Sequence, residues 1–408
     1  MIDKIVTMTK EDVGGKEIEG AKIQVTDKDG NIVDEWTSGK ESHNIKGLEE
    51  NKKYVLHEEY APDGYVIATD IEFEVTTDKE TQKVTMTDKV VEISKEDIGG
   101  KEIEGAKIQV TKDGKVIDEW VSEKEAHKVK GLKEGETYKL HEEVCVNEYV
   151  KATDVEFKVT TDKKTQKIVM IDKIVEIVKT DLVTGEELEG AKLKVVDENN
   201  EVIDEWVSTK EPHKVTGLEE SKTYKLIEVT TPYGYEIAEE ITFTVTTDKE
   251  TQKIEMKDMP ILKDVKVVKI DSKTKEIIKA KFTFGLYEDK ECTKLIQQMD
   301  SNKDEGIITF EDLRYGTYFI KEITAPKGYN KSDEVAKVEI NDKGVFVNGN
   351  LIEEKDSAYS FEFENAPIET PNTNDGRNTL LLGGIAGMSA LTLATIGIYE
   401  IIKRRKNK

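Results

Sequence analysis

The sequence predicts an all-β chain: small β-sandwich domains in tandem, strung as a rod and closed by a C-terminal transmembrane helix. Three observations carry this expectation. A block of about 85 residues, near the lower end of ordinary domain size, recurs along the chain. Within each block apolar and polar residues alternate over short runs bounded by Gly-Gly, Asp-Gly and Pro-Asp-Gly turns. Near the C-terminus, from about Thr379 to Ile402, an apolar run reaches the ~20 residues that a membrane span needs.

The repeat sets the domains. Gly14–Val25 recurs without change at Gly99–Val110 and in diverged form from Gly185 to Val195. The expected units are 4–88, 89–172, 173–258 and a longer, diverged 259–367 with extra residues around Glu288–Gly306. Residues 1–3 match the last strand of a preceding unit, because Met1 to Val6 repeats Met170 to Val175 residue for residue. The chain is therefore expected to be the C-terminal piece of a longer protein. Within the first unit, Val6 to Lys10 reads as a strand. Ile23 and Val25 lead into a turn at Asp29-Gly30, and Ile32 to Trp36 follows. His43 to Ile45, Tyr54 to Glu58, Ile71 to Val75 and Val84 to Asp88 complete the set. No amphipathic helix interrupts them, and strands at this spacing predict an antiparallel sandwich. Asp88 and Asp172 run directly into the next first strand, which leaves no linker; only Met259-Pro260 reads as a joint.

Charged residues fall where alternation calls for apolar ones. Side chains two apart in a strand share a face. Val6 and Met8 therefore carry Lys10 inward, Tyr54 and Leu56 carry Glu58, and Val84 and Met86 carry Asp88. The set recurs as Lys95, Glu142, Asp172 and as Lys179, Glu228, Asp258. A fourth set, Lys269, Glu322, Asn365, ends in an amide. Burying such groups is costly unless they pair or become neutral. Four repetitions of that cost point to chemistry, and these groups permit an amide bond between lysine and aspartate or asparagine.

Bulk composition excludes other classes. With 61 basic and 85 acidic residues, a formal charge of −24, the chain would repel nucleic acid. Two cysteines, Cys145 and Cys292, lie in different units and give no disulfide framework. Histidines recur at His43, His127 and His213 and at His57 and His141, but no cysteine accompanies them and the last pair has Ile227 in the third unit. They read as edge positions and not as metal ligands. Asp300 to Asp304 is similar to the start of a calcium loop, yet Gly306 falls one place late and the flanks are strands, so a solvated turn is expected. Trp36, Trp120 and Trp206 read as packing residues. Thr-Gln at 81–82, 165–166 and 251–252 lacks a repeated cysteine for a thioester. No cofactor motif and no Ser/His/Asp set is present.

The C-terminus, 368–408, resembles a sortase cell-wall sorting signal. Thr370-Pro371-Asn372-Thr373-Asn374 is followed by the apolar stretch 379–402 and a basic tail, Lys403 to Lys408. Against the usual Leu-Pro-any-Thr-Gly, Pro371 and Thr373 match, while Thr370 and Asn374 depart. The resemblance implies cleavage after Thr373, transient anchoring in the membrane through 379–402 and transfer by sortase to peptidoglycan. The basic tail places that end of a span in the cytoplasm.

The fourth unit carries a family pattern. Val265 to Asp271, Ala280-Lys281-Phe282, Leu313, Gly316-Thr317-Tyr318 and Glu322 to Tyr329 resemble the collagen-adhesin B-type, or SpaA-like, domains of Gram-positive surface proteins. Tyr54 to Tyr65 and Tyr224 to Tyr235 keep shorter versions, while the second unit reads Cys145-Val146-Asn147-Glu148-Tyr149. The resemblance implies prealbumin-like (Ig-like) sandwiches with an intramolecular isopeptide bond between first and last strands. Lys10, Lys95, Lys179 and Lys269 would donate, Asp88, Asp172, Asp258 and Asn365 would accept, and Glu58, Glu142, Glu228 and Glu322 would assist. The expected function is the structural stalk of a cell-wall-anchored adhesin, not a turnover enzyme. The alternatives are a sortase-assembled pilus subunit and repeats that themselves bind host matrix proteins. The first alternative calls for a motif such as Tyr-Pro-Lys, which the sequence lacks.

Overall fold

Period-two burial, with every second side chain inward, shapes all four units in the computed structural model, which describes residues 4–78 and 80–369. The first unit has seven strands: β1 (Ile5–Asp12), β2 (Lys22–Thr26), β3 (Ile32–Thr37), β4 (His43–Lys46), β5 (Lys53–Tyr60), β6 (Ile71–Glu74) and β7 (Gln82–Asp88). They form a three-stranded sheet, β4-β1-β7, and a four-stranded one, β3-β2-β5-β6. Val6 and Met8 of β1, Ile23 and Val25 of β2, Tyr54 and Leu56 of β5 and Val84 and Met86 of β7 fill the space between. The second and third units repeat the plan. No helix occurs among the described residues. The remnant expected at 1–3, the sorting motif and the span at 379–402 lie outside those residues. Among the described ones no helix is long and apolar enough to cross a membrane.

One expectation needs correction. The sandwich is not wholly antiparallel, because β1 and β7 run parallel, with Lys10 opposite Met86 and Asp12 opposite Asp88. The same parallel pairing joins 91–97 to 166–172, 175–181 to 252–258 and 263–271 to 358–365. The two strands are the first and last of a unit, so no hairpin forces them to reverse.

Local chemistry explains the remaining geometry. Asp27 Oδ1 accepts hydrogen bonds from the backbone N–H groups of Asp29 (2.9 Å) and Asn31 (2.9 Å), and Gly30 supplies the φ of +82° that the β2–β3 turn requires. Trp36 stacks on His43 with ring centroids 4.3 Å apart, and His43 Nε2 pairs with Asp34 at 2.9 Å. This staple links β3 to β4, the edge strands of the two sheets, and closes one side of the sandwich. It recurs as Trp120–His127 and Trp206–His213.

The fourth unit departs from the sequence expectation in where it is longer. Leu295–Asp300 takes the place of β3, so the residues around Glu288–Gly306 lengthen an existing hairpin. The true addition is a ribbon, Gly344–Val347 and Asn350–Ile352, which extends one sheet to six strands. Its Asn348-Gly349 turn has no counterpart in the other units.

The units join without spacer. Val66 N–H donates to Lys89 O (3.0 Å), Ile67 N–H to Leu132 O (2.9 Å) and Glu134 N–H to Ile67 O (3.0 Å). Val66, fully buried, packs into the second unit's core. The buried Glu134 carboxylate then accepts from Thr69 N–H (3.0 Å) and Thr69 Oγ1 (3.1 Å) and pairs with Lys163. Val150, Lys151, Thr153, Glu220 and Lys249 repeat this latch at the next junction. The expected joint at Met259-Pro260 is also pinned. Glu236 N–H donates to Met259 O (2.9 Å), Ile261 N–H to Gly234 O (2.8 Å), and Arg314 pairs with Asp181 at 2.5 Å. Proline lacks an N–H, but its neighbours on both sides pair with the 234–236 loop.

Candidate functional site

Each sandwich holds one lysine, one glutamate and one acceptor in its interior. Parallel pairing of β1 and β7 sets Asp88 two residues beyond the partner of Lys10, on the same inward face. Lys10 Nζ contacts Asp88 Oδ1 and lies 2.8 Å from Glu58 Oε1. Lys95 contacts Asp172 and lies 3.0 Å from Glu142; Lys179 contacts Asp258 and lies 3.1 Å from Glu228. In the fourth unit Lys269 Nζ is 2.8 Å from Glu322 Oε1, and Asn365 Nδ2 donates to both Glu322 oxygens at 3.0 Å. Every side chain in these four sets is nearly sealed from solvent; Lys10, the type case, is 2 % exposed and Asp88 0 %.

The glutamates are aimed by backbone. A β-bulge follows each one, between Lys22 and Ile23 on the strand facing Glu58, and likewise beside Glu142, Glu228 and Glu322. Such bulges redirect side chains next to reactive groups. One carboxylate oxygen is held by an N–H ten residues on: Ala68 to Glu58 (2.8 Å), Ala152 to Glu142 (2.8 Å), Ala238 to Glu228 (2.6 Å), Ser332 to Glu322 (2.7 Å). The other oxygen is left for the lysine. In the first three units it forms no aligned hydrogen bond despite its closeness to the ammonium.

Burial alters the proton balance. It raises Asp88 to about 8, with help from Glu58 and against the pull of Lys10. Asp172 rises to about 7 and Asp258 to about 6 for the same reasons. Burial lowers Lys269 to about 8, and its ammonium sits 4.3 Å from the Phe363 ring centroid and 4.9 Å from that of Phe284. An acid held protonated is an electrophile, and an amine held neutral is a nucleophile.

The altered loop of the second unit does not displace its set. Tyr149 N–H still donates to Val146 O (3.2 Å), as Tyr65 does to Pro62 (3.0 Å), and Glu148 takes a positive φ of 73° where Gly64 has 86° in the first unit. Glu142, Cys145 and Asp172 offer three ligand atoms within 4.8 Å of one another. The cation among them is Lys95, so the group reads as part of the same site and not as a metal centre. Sequence reasoning missed the side chain three residues after each glutamate: Ala61, Cys145, Thr231 and Ala325. Thr231 Oγ1 lies 3.2 Å from Asp258 Oδ2 and Cys145 Sγ 3.7 Å from Asp172 Oδ2. The only sequence signal was the fixed offset from the glutamate.

No curated protein matches the chain. Among solved structures it is similar to the Bacillus anthracis TIE protein at 19 % identity, covering 85 % of this chain and 68 % of that one, with a TM-score of 0.36. It is similar to a C-terminal fragment of the pilus adhesin SpaC from Lactobacillus rhamnosus GG at 13 % identity, covering 49 % and 98 %, TM-score 0.35. It is similar also to BcpA, the major pilin subunit of Bacillus cereus, at 16 % identity, covering 90 % and 100 %, TM-score 0.24. Residues 4–90, 89–174, 173–260 and 263–355 each match the SpaA prealbumin-like fold domain, and the chain belongs to that family.

Proposed function

We propose that the chain is the structural stalk of a cell-wall-anchored surface adhesin, its four sandwiches stapled by isopeptide bonds that form without a separate enzyme. The observation that carries this reading is the buried Lys/Glu/acceptor set, present in every unit at the same place in the fold. An unreacted buried ion pair is a poor source of stability. A covalent bond removes both charges.

The chemistry balances with these groups alone. A proton passes from Lys10 Nζ to Asp88 Oδ1 across their contact, the resulting amine attacks Cγ of Asp88, and the C–N bond forms. Glu58 takes the proton from nitrogen and returns it to the leaving oxygen; the C–O bond breaks and water departs. With Asn365 the leaving group is ammonia. Each bond forms once, so there is no turnover. The cross-link closes a loop of 78 residues, and if loop-closure entropy carries over from disulfides it stabilises by about 4–5 kcal/mol. The sorting signal read at Thr370, Pro371, Asn372, Thr373 and Asn374 would join the stalk to peptidoglycan through sortase.

Intact mass tests the reading. A fragment ending before Thr370 should weigh less than its sequence by three waters and one ammonia. Glu58→Ala should restore one water and leave the other three bonds in place, because the sandwiches have separate cores. Full sequence mass in the unaltered fragment, with no branched lysine peptide after digestion, would sink the proposal.

A further inference from the structure

The four sets are alike in lysine and glutamate but differ at one neighbouring position. Lysine reaches Oδ1 of the acceptor in the first three units. The second oxygen, Oδ2, meets the side chain three residues after the glutamate. In the third unit Thr231 Oγ1 is 3.2 Å from Asp258 Oδ2, with Glu236 O at 3.4 Å as its other contact. In the second, Cys145 Sγ is 3.7 Å from Asp172 Oδ2, with Val146 O and Tyr149 O each at 3.5 Å. In the first and fourth the position is Ala61 and Ala325, which cannot donate. Asp88 Oδ2 and Asn365 Oδ1 have no hydrogen-bond partner among the described residues.

We propose that this position sets how fast each sandwich cross-links, by supplying or withholding a hydrogen bond to the acceptor oxygen that becomes negative during attack. The inference rests on the isopeptide reading above and extends it. As Lys179 Nζ bonds to Cγ, the carbonyl electron pair moves onto Oδ2. The Thr231 hydroxyl, 3.2 Å away, stabilises that oxyanion beside the buried Lys179–Asp258 pair. Glu228 carries the amine proton to Oδ1, the Cγ–Oδ1 bond breaks, water leaves and the Oδ2 carbonyl reforms. A thiol donates more weakly than a hydroxyl, so the second unit follows the third, and the first lacks the donor.

The full chain, made by cell-free translation with a short isotopic pulse, gives the rates. Samples are quenched at intervals and digested, and the branched Lys–Asp peptide of each unit is counted. All units are read from the same samples, so their rates are compared at one pH. Thr231→Val should slow the third unit on the order of 10²-fold, the lower end of what loss of an oxyanion donor costs, and leave the others unchanged. Thr231→Ser, which keeps the hydroxyl, should keep the rate; a merely structural role for the methyl group would not show this pattern. Ala61→Thr should speed the first unit, an outcome that does not depend on how well the valine variant folds. Wild-type rates in Thr231→Val, or no gain in Ala61→Thr, overturn the donor role while leaving cross-linking intact. Absence of branched peptide from every unit overturns the isopeptide reading itself.

Discussion

At the scale of single residues, strand parity made the buried sets legible. Lys10, Glu58 and Asp88 each follow two apolar residues at even spacing, and a strand leaves such a residue no choice of face. The Thr231 contact was not legible, because that residue lies past a bulge, where period two no longer dictates direction. The His43 role was half legible: its strand was expected, its stack on Trp36 was not. Glu148 shows how a loop keeps its shape with the wrong residue. A non-glycine side chain at φ of 73° carries a penalty of roughly 1–2 kcal/mol. Glu148→Gly should recover about 1 kcal/mol of it, read as an upward shift of the second unit's calorimetric transition; no shift would mean the loop relaxes at no cost. The aspartates also give a pH signature. Their folded values, about 8, 7 and 6 in order, lie above the ordinary 3.8. The protonated form is therefore favoured by folding, fully below 3.8, and is lost as pH rises through the folded value. Bond formation should fail on the alkaline side first in the third unit and last in the first. Equal alkaline limbs, measured by branched-peptide yield after translation at stepped pH, would contradict this.

At the scale of elements, all seven strands of the first unit were expected within about two residues of their observed ends, the usual uncertainty of strand boundaries. Alternation and turn residues are local signals and survive without tertiary information. The direction of pairing is not local. Nothing in β1 or β7 alone says that they run parallel, and that pairing is what brings Lys10 to Asp88. The ribbon of the fourth unit was missed because comparison among repeats hides what only one of them has. The latch at each junction was missed for a related reason: it joins loops from two units. Glu134 is buried and accepts two hydrogen bonds from Thr69 across the junction. Glu134→Ala leaves those donors and Lys163, which belong to exposed residues, to water, a loss of about 0.5–1.5 kcal/mol per hydrogen bond. It should raise amide exchange at Ile67 and Thr69 without changing exchange in the strands of either core. Unchanged protection at those two amides would show that the Val66 packing alone holds the junction.

At the scale of the whole molecule, the linkerless junctions place the buried Lys/Glu/acceptor sets in series along the chain. Tension along the chain enters a unit at β1 and leaves at β7, adjacent parallel strands that would otherwise part by shear. The proposed bond from Lys10 to Asp88 would carry that load directly and shield the 78-residue span between them. The next first strand begins within a few residues, so little chain lies outside a clamp in the first three units. Pulling a single molecule by its two ends should therefore show no unfolding step from these units. In Glu58→Ala the first proposed bond should not form. One new step should appear, with a length gain of roughly 260 Å, the extended reach of 78 residues at 3.3–3.6 Å each. The other units should still resist, because each has its own buried set. Steps of that length in the unaltered chain, one for each of the first three units, would show that the sandwiches bear load by hydrogen bonds alone.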